Sequence, residues 1–261
     1  MSKYFLGLII VILILTTFLF IGSNLSEKKQ EPSPSSKGDS KNIKVNQLDL
    51  IHNGSNYRIN WEQVAIPKNI ILGTNLDEKK TAETLFSENQ CKVLTNGGFY
   101  TESDNYIGLL YIDGKKLSNE SSDPLFNGVF YITNAGDPGI GSGVPLTQIK
   151  YAVQSGPILV RYRTYQKLKL ASDQGARRIV IALTDKKAVY FMAVFDPNST
   201  YLGPLLTDLP EIVKKFAEGK NLSFTDALNL DGGSHSAFLT PGVSLDELSP
   251  IGSYLCARDQ N

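Results

Sequence analysis

Residues Arg177–Phe195 read RRIVIALTDKKAVYFMAVF, two apolar, β-branched runs separated by the short polar stretch TDKK. Runs of this length and composition are strands, and the turn between them closes a hairpin. Almost no residue within either run is polar, so both faces of the hairpin are suited to burial rather than to water. The pair therefore belongs inside a sheet that is covered on both sides, and the rest of the chain must supply neighbouring strands and covering layers.

The neighbouring segments read largely as strands. IKVNQLDLI and YRINWEQVAI alternate apolar and polar residues around HNGSN, a hairpin with one face in the core. CKVL, IGLLYIDGKKL with its Asp-Gly turn, GVFYIT, YAVQ and PILVRY follow. Two stretches have helical spacing. Asn75–Asn89 carries apolar residues at 76, 82, 85 and 86 with charges between them. In Leu205–Glu218, Asp208 is a candidate N-cap with Pro210 just inside, Leu209, Ile212, Val213 and Phe216 form one stripe, and Gly219 ends it. NLSFTDALNL reads as a short helix running into a strand. The expected class is α+β: a large twisted, mostly antiparallel sheet with two or three packed helices, in a single domain after an N-terminal membrane segment.

That segment is Tyr4–Gly22, nineteen residues without a charge. As a helix it would extend roughly 28 Å, near the hydrocarbon thickness of a bilayer. Residues 1–27 are therefore expected to be a transmembrane anchor or uncleaved signal, residues 28–42 a polar, Pro/Ser-rich flexible linker, and residues 43–261 the folded domain. This places the body on the extracytoplasmic side of the cell membrane behind a single pass, or in the medium if the signal is cut. With 26 basic and 26 acidic residues there is no field to steer the chain to nucleic acid. Cys91 and Cys256 are either a disulfide, if the compartment is oxidising, or two buried thiols. No metal or other cofactor is expected: there are two histidines, and neither cysteine has ligand spacing. A divalent cation at Asp137 or Glu102 has no spacing to support it.

Three stretches place glycines beside polar residues at the end of an apolar strand: LTNGGFY (94–100), VQSGPILV (153–160) and LNLDGGSHSA (228–237). One such stretch is usually a turn. Three of them suggest a shared site, because glycine lets a ligand approach the backbone closely.

TNGGFY, AVQSGPILV, RRIVIAL and ALNLDGGSHSAFL, in this order and spacing, resemble the motifs of the phosphodiester glycosidase family, to which the lysosomal uncovering enzyme belongs and whose bacterial members are described as exopolysaccharide-related. The resemblance runs from Cys91 to Phe238. It implies a catalytic set of Asp231, Arg178 and Asn96. It implies substrate contacts from Gly97, Gly98 and Phe99, from Gln154, Ser155 and Gly156, and from Gly232, Gly233, Ser234 and His235. His235 stands where the family often has glycine or serine, and Ala182 where it often has glycine.

The chemistry of those residue types is consistent with that role. Ordinary glycosidases use two carboxyls because an alcohol leaving group needs a proton. A phosphodiester leaves as a stable anion, so one carboxylate, Asp231, and one guanidinium, Arg178, suffice. The amides of the two Gly-Gly turns would form an anion nest. Plainer readings stand beside these. Asp231 could be a turn residue, Gln154 could satisfy buried backbone groups, and of the adjacent Arg177 and Arg178 one should be merely solvated. The expected function is an exported hydrolase cleaving a glycosyl phosphodiester, with a carbohydrate or glycan substrate and a membrane as partners. The alternative is a non-catalytic glycan-binding or exopolysaccharide-assembly protein.

Overall fold

The computed structural model describes residues 44–145 and 148–259. The expected membrane span and linker lie outside the described residues. Among the described residues no helix is long and apolar enough to cross a membrane.

The strands form three antiparallel sheets where the sequence suggested one. The first has seven strands in the order β1 (Gln47–His52), β2 (Ser55–Val64), β13 (Val189–Phe195), β12 (Arg178–Thr184), β14 (Phe224–Asn229), β10 (Ile158–Arg161) and β11 (Thr164–Tyr165). The second runs β16 (Val243–Leu245), β15 (Phe238–Thr240), β4 (Cys91–Asn96), β17 (Ser253–Arg258) and β3 (Ile70–Thr74). The third runs β6 (Lys115–Ser118), β5 (Leu110–Ile112), β9 (Ile149–Ser155), β7 (Gly128–Thr133) and β8 (Pro138–Gly141).

One core lies among all three sheets. Ile179, Ile181 and Phe191 of the first meet Val93 and Leu255 of the second and Phe130 and Val153 of the third. The opposite face of the seven-stranded sheet carries Val180, Ala182, Met192 and Val194, and the helix α2 (Leu209–Gly219) covers them with Leu209, Ile212, Val213 and Phe216. The β12–β13 hairpin is thus buried on both faces, as its composition requires. α1 (Ala82–Glu88) covers the outside of the second sheet through Ala82 and Leu85.

Two hairpins turn where the sequence marks them. Asn53-Gly54 and Asp113-Gly114 all have positive φ, the conformation of a type I′ turn. Two local readings are corrected. The helix expected over 75–89 begins only after Thr81, whose hydroxyl caps the Thr84 amide, because the Asn75 side chain bonds both the amide and the carbonyl of Lys80 and closes a turn instead. No helix forms within 221–230: from Phe224 the chain is strand, held between β10 and β12 in mid-sheet, and pairing on both sides overrides local preference.

Cys91 and Cys256 form a disulfide, Cα–Cα 5.5 Å, joining the adjacent strands β4 and β17 across 165 residues of sequence. Its reduction is expected to lower unfolding stability by about 2–5 kcal/mol, read as a shifted denaturation midpoint with and without reductant. An unshifted midpoint would show that the sheet pairing alone sets the stability.

Candidate active site

β14 leaves the first sheet at its end and crosses to the second. Leu230 donates its amide to Ile179 of β12, but the next amide, that of Asp231, reaches the Gly97 carbonyl at 3.3 Å. Asn96, the last residue of β4, completes the clasp: its Nδ2 donates to the Asp231 carbonyl at 2.9 Å and its Oδ1 accepts from the Ala237 amide at 3.0 Å. The third glycine stretch joins through Asn229, which donates its amide to the Pro157 carbonyl and its Nδ2 to that of Gly156. A Cβ on Gly156 would lie 2.0 Å from the Leu125 carbonyl oxygen, so only glycine allows this approach. The three stretches therefore meet through hydrogen bonds at the seam of the sheets.

A cavity of about 420 Å³ opens there. Asp231 and Arg178 both line it, with Phe99, Leu125, Leu170 and Leu206 as its apolar walls. Asp231 is 8% exposed, and its Oδ1 accepts from the Gly232 amide at 2.8 Å. Burial pushes its carboxyl up to about 7, although the Gly232 amide and the Arg178 charge favour the ionised form. Arg178 is steered from behind: Nε donates to the Pro204 carbonyl at 3.1 Å, and Nη2 to the Gln174 carbonyl and, at 3.4 Å, to Asp173 Oδ1. Asp173 itself accepts from the Leu206 and Thr207 amides and the Thr207 hydroxyl, which hold its carboxylate ionised and tie the arginine to the loop before α2. Among the described residues Nη1 has no hydrogen-bond partner; it flanks Gly232, where an added Cβ would stand 3.7 Å from it. The guanidinium thus has one free edge on the Asp231 side of the cavity.

Of the residues singled out in the sequence, the cavity wall contains Asp231, Arg178, Phe99, Gly232 and Gly233. Several expectations are corrected. Asn96 holds the Asp231 backbone and does not face the cavity, because all its polar atoms bond the main chain. Gln154 takes the plain reading: its Oε1 accepts from the Leu109 and Ser121 amides and its Nε2 donates to the Ser121 and Phe126 carbonyls. Those bonds fix the loop that carries Leu125 and Phe126, whose ring lies 4.9 Å from that of Phe99.

The anion nest does not form. The amides of Gly97, Gly232 and Gly233 donate to the Ser253 carbonyl, Asp231 Oδ1 and the Arg177 carbonyl, which close the turns. Gly98 packs on the Gln154 backbone, and Ser155 is fully buried on β9, so neither lines the cavity. Ser234 and His235 also lie outside the cavity wall, bonded to each other at 3.2 Å with the imidazole edge-on to Tyr100.

Arg177 is not solvated. It is fully buried beneath the Asp231–Ser236 turn, donating to Ser236 Oγ, to the Ser236 and Asp246 carbonyls and to that of Thr200. Burial lowers its pKa to about 10, which leaves it a cation at neutral pH. Asp137, a candidate cation ligand, is paired with Lys187 at 2.6 Å. Among the described residues no group of three or more His, Cys, Asp or Glu side chains is placed to hold a metal ion.

Of the wall residues that escaped the sequence reading, Asn229 and Asp173 are the ones whose side chains tie the site together. Asn229 precedes Asp231 by two, the strand period that puts both on one face, and this was the signal to follow. Asp173 sits in the loop ASDQGA, where nothing local marks it.

A water-shielded carboxylate and a guanidinium edge on one partly apolar cavity suit hydrolysis of a bond whose leaving group is already an anion, the chemistry of a glycosidase-type hydrolase. Residues 89–255, more than half of the chain, match the phosphodiester glycosidase family, and the chain belongs to it. The fold is similar to the catalytic domain of zebrafish N-acetylglucosamine-1-phosphodiester alpha-N-acetylglucosaminidase auto-inhibited by its pro-peptide, with a TM-score of 0.66 and 17% identity over 86% of each chain. It is also similar to a hypothetical protein from Synechocystis, with a TM-score of 0.53 and 14% identity over 80% of this chain and 61% of that one. At these identities the likeness is one of fold. No curated protein matches the chain significantly.

Proposed function

We propose that the protein hydrolyses a sugar 1-phosphodiester in a cell-surface or secreted glycan or glycoconjugate, at the cavity between Asp231 and Arg178. The observation that carries this reading is their convergence: Arg178 on β12 and Asp231 just past the adjacent strand β14 line one cavity, with the Asp231 backbone held by Asn96 of the second sheet and a free guanidinium edge on the carboxylate side. Arg178 Nη1 takes a phosphate oxygen. The ionised Asp231 faces the anomeric carbon, as nucleophile or as base to the attacking water. The bond from that carbon to the phosphate oxygen breaks, the phosphomonoester leaves with the electron pair, and no acid is needed to protonate it. The name of the zebrafish relative, a phosphodiester glucosaminidase, supports the same bond type.

The test is incubation of the protein with a panel of sugar 1-phosphodiesters, with released sugar as the readout. Turnover of at least one member is expected, with kcat/KM rising as pH increases through about 7, where Asp231 loses its proton. Binding of panel members without turnover would replace this reading by glycan binding.

The same proposal places the body outside the cytoplasm, tethered by residues 4–22. The disulfide supports it, since such bonds persist in oxidising compartments. Alkylation of thiols in whole cells should leave both cysteines unlabelled, and labelling of either counts against export.

A further inference from the structure

A second cleft lies at the far end of β17, whose other end abuts the active site. The Ser253 carbonyl of β17 accepts from the Gly97 amide beside Asp231, whereas Arg258, five residues on and about 17 Å away at the rise of a strand, lines this cleft. Lys68, Lys150 and Arg258 surround a cavity of about 500 Å³ over Ile66 and Ile71. A smaller cavity of about 120 Å³ shares Ile66, Arg258 and Asp259 with it and extends the groove to Lys92.

The charges there are unbalanced. Lys92 is neutralised by Glu62 at 2.6 Å. Arg258 donates to the Asn89 carbonyl at 2.9 Å and to Asn89 Oδ1 at 3.4 Å, both uncharged partners. Lys150 rests over the Tyr151 ring, 4.9 Å from its centre, and the stem of Lys68 packs near Gly136. Lys150 is half-buried, Lys68 and Arg258 are exposed, and among the described residues neither lysine has an ion-pair partner. Asp259 is the one acid on the wall, set against three cations that have no other counter-charge among the described residues. Three cations around a concave site focus positive potential, which draws an anion to it. The volume is that of a site for an organic molecule, not a bare ion, and the isoleucine floor suits the hydrocarbon face of such a unit.

We propose that this cleft is a second binding site, for a polymer bearing phosphate or phosphodiester groups, which it holds while another stretch of the same chain reaches the catalytic cavity. The choice of a phosphate polymer over other polyanions rests on the reading of the Asp231 site given above. The cleft lies outside the catalytic cavity, so the two can be tested apart.

The full chain in neutral detergent micelles is titrated with inorganic polyphosphate, with neutral dextran and with phosphatidylglycerol added to the micelles. Polyphosphate should bind in a salt-sensitive manner and dextran should not. The K68Q/K150Q double variant should weaken polyphosphate binding by about tenfold or more, because each lysine supplies a charge-assisted contact. Its turnover of a small sugar 1-phosphodiester should be unchanged. Undiminished polyphosphate binding by the double variant overturns the proposal. So does binding of phosphatidylglycerol with none of polyphosphate, which would make the cleft a lipid contact. If the wild-type chain turns over no small substrate, yet its polyphosphate binding is lost in the double variant, the cleft stands and the catalytic reading falls.

Discussion

The Asp231→Asn protein is expected to lose turnover by about three orders of magnitude or more and, at pH 8, to unfold at a higher temperature than the wild type. The two outcomes share one cause. Asp231 is buried, so its folded-state pKa is pushed up to about 7 from the ordinary 3.8. A carboxyl whose pKa is raised by folding binds its proton more tightly in the native state. Its neutral form is accommodated without penalty below the unfolded pKa, and stability falls as pH rises from about 4 to about 7. Above that window the ionised side chain costs about 4 kcal/mol, the size of the shift in free-energy terms. Asparagine keeps an oxygen for the Gly232 amide and carries no charge, so the cost disappears. For a domain of this size that is a rise in Tm of the order of 10 °C at pH 8, shrinking to nothing near pH 4. Thermal denaturation at the two pH values beside a single-substrate rate assay measures both effects. A variant that is inactive but equally destabilised at both pH values would show that Asp231 is a structural turn residue and would remove it from the chemistry.

The strand content was legible because each signal for it is local. Apolar runs, Asn-Gly and Asp-Gly turns and the α2 stripe each lie within a few residues of the structure they specify. The division into three sheets was not, since pairing partners such as β4 and β17 lie more than 150 residues apart. The site was legible as a convergence and illegible in its roles. Gly97, Gly233 and Asn96 sit where the motifs place them, but whether an amide faces a ligand or closes a turn depends on what lies across from it. Ser253, Arg177 and Ala237 occupy those positions, and no spacing in the sequence announces them. Asp173 escaped for the same reason: its role comes from Arg178, Leu206 and Thr207 arriving around it.

The neighbouring arginines show how one residue of register separates two functions, and replacing each by lysine should separate them experimentally. Arg177→Lys is expected to cost on the order of 3–5 kcal/mol of stability, read as a lowered denaturation midpoint. A buried ammonium cannot reach the Ser236, Asp246 and Thr200 oxygens together, so carbonyls of the turn that positions Asp231 lose their donors. Arg178→Lys is expected to lose less stability, about 1–2 kcal/mol, since a lysine can still keep one of the partners behind it. Its turnover should nevertheless fall by about two to three orders of magnitude, since a lysine on the same backbone cannot bond Pro204 and Gln174 while presenting a second edge to a phosphate. β12 pairs on both sides, so each side chain stays on its own face: one beneath the Asp231–Ser236 turn, one on the cavity wall. If Arg178→Lys turns over substrate at the wild-type rate, the guanidinium does not hold the phosphate, and the anion must be met by another group on the wall.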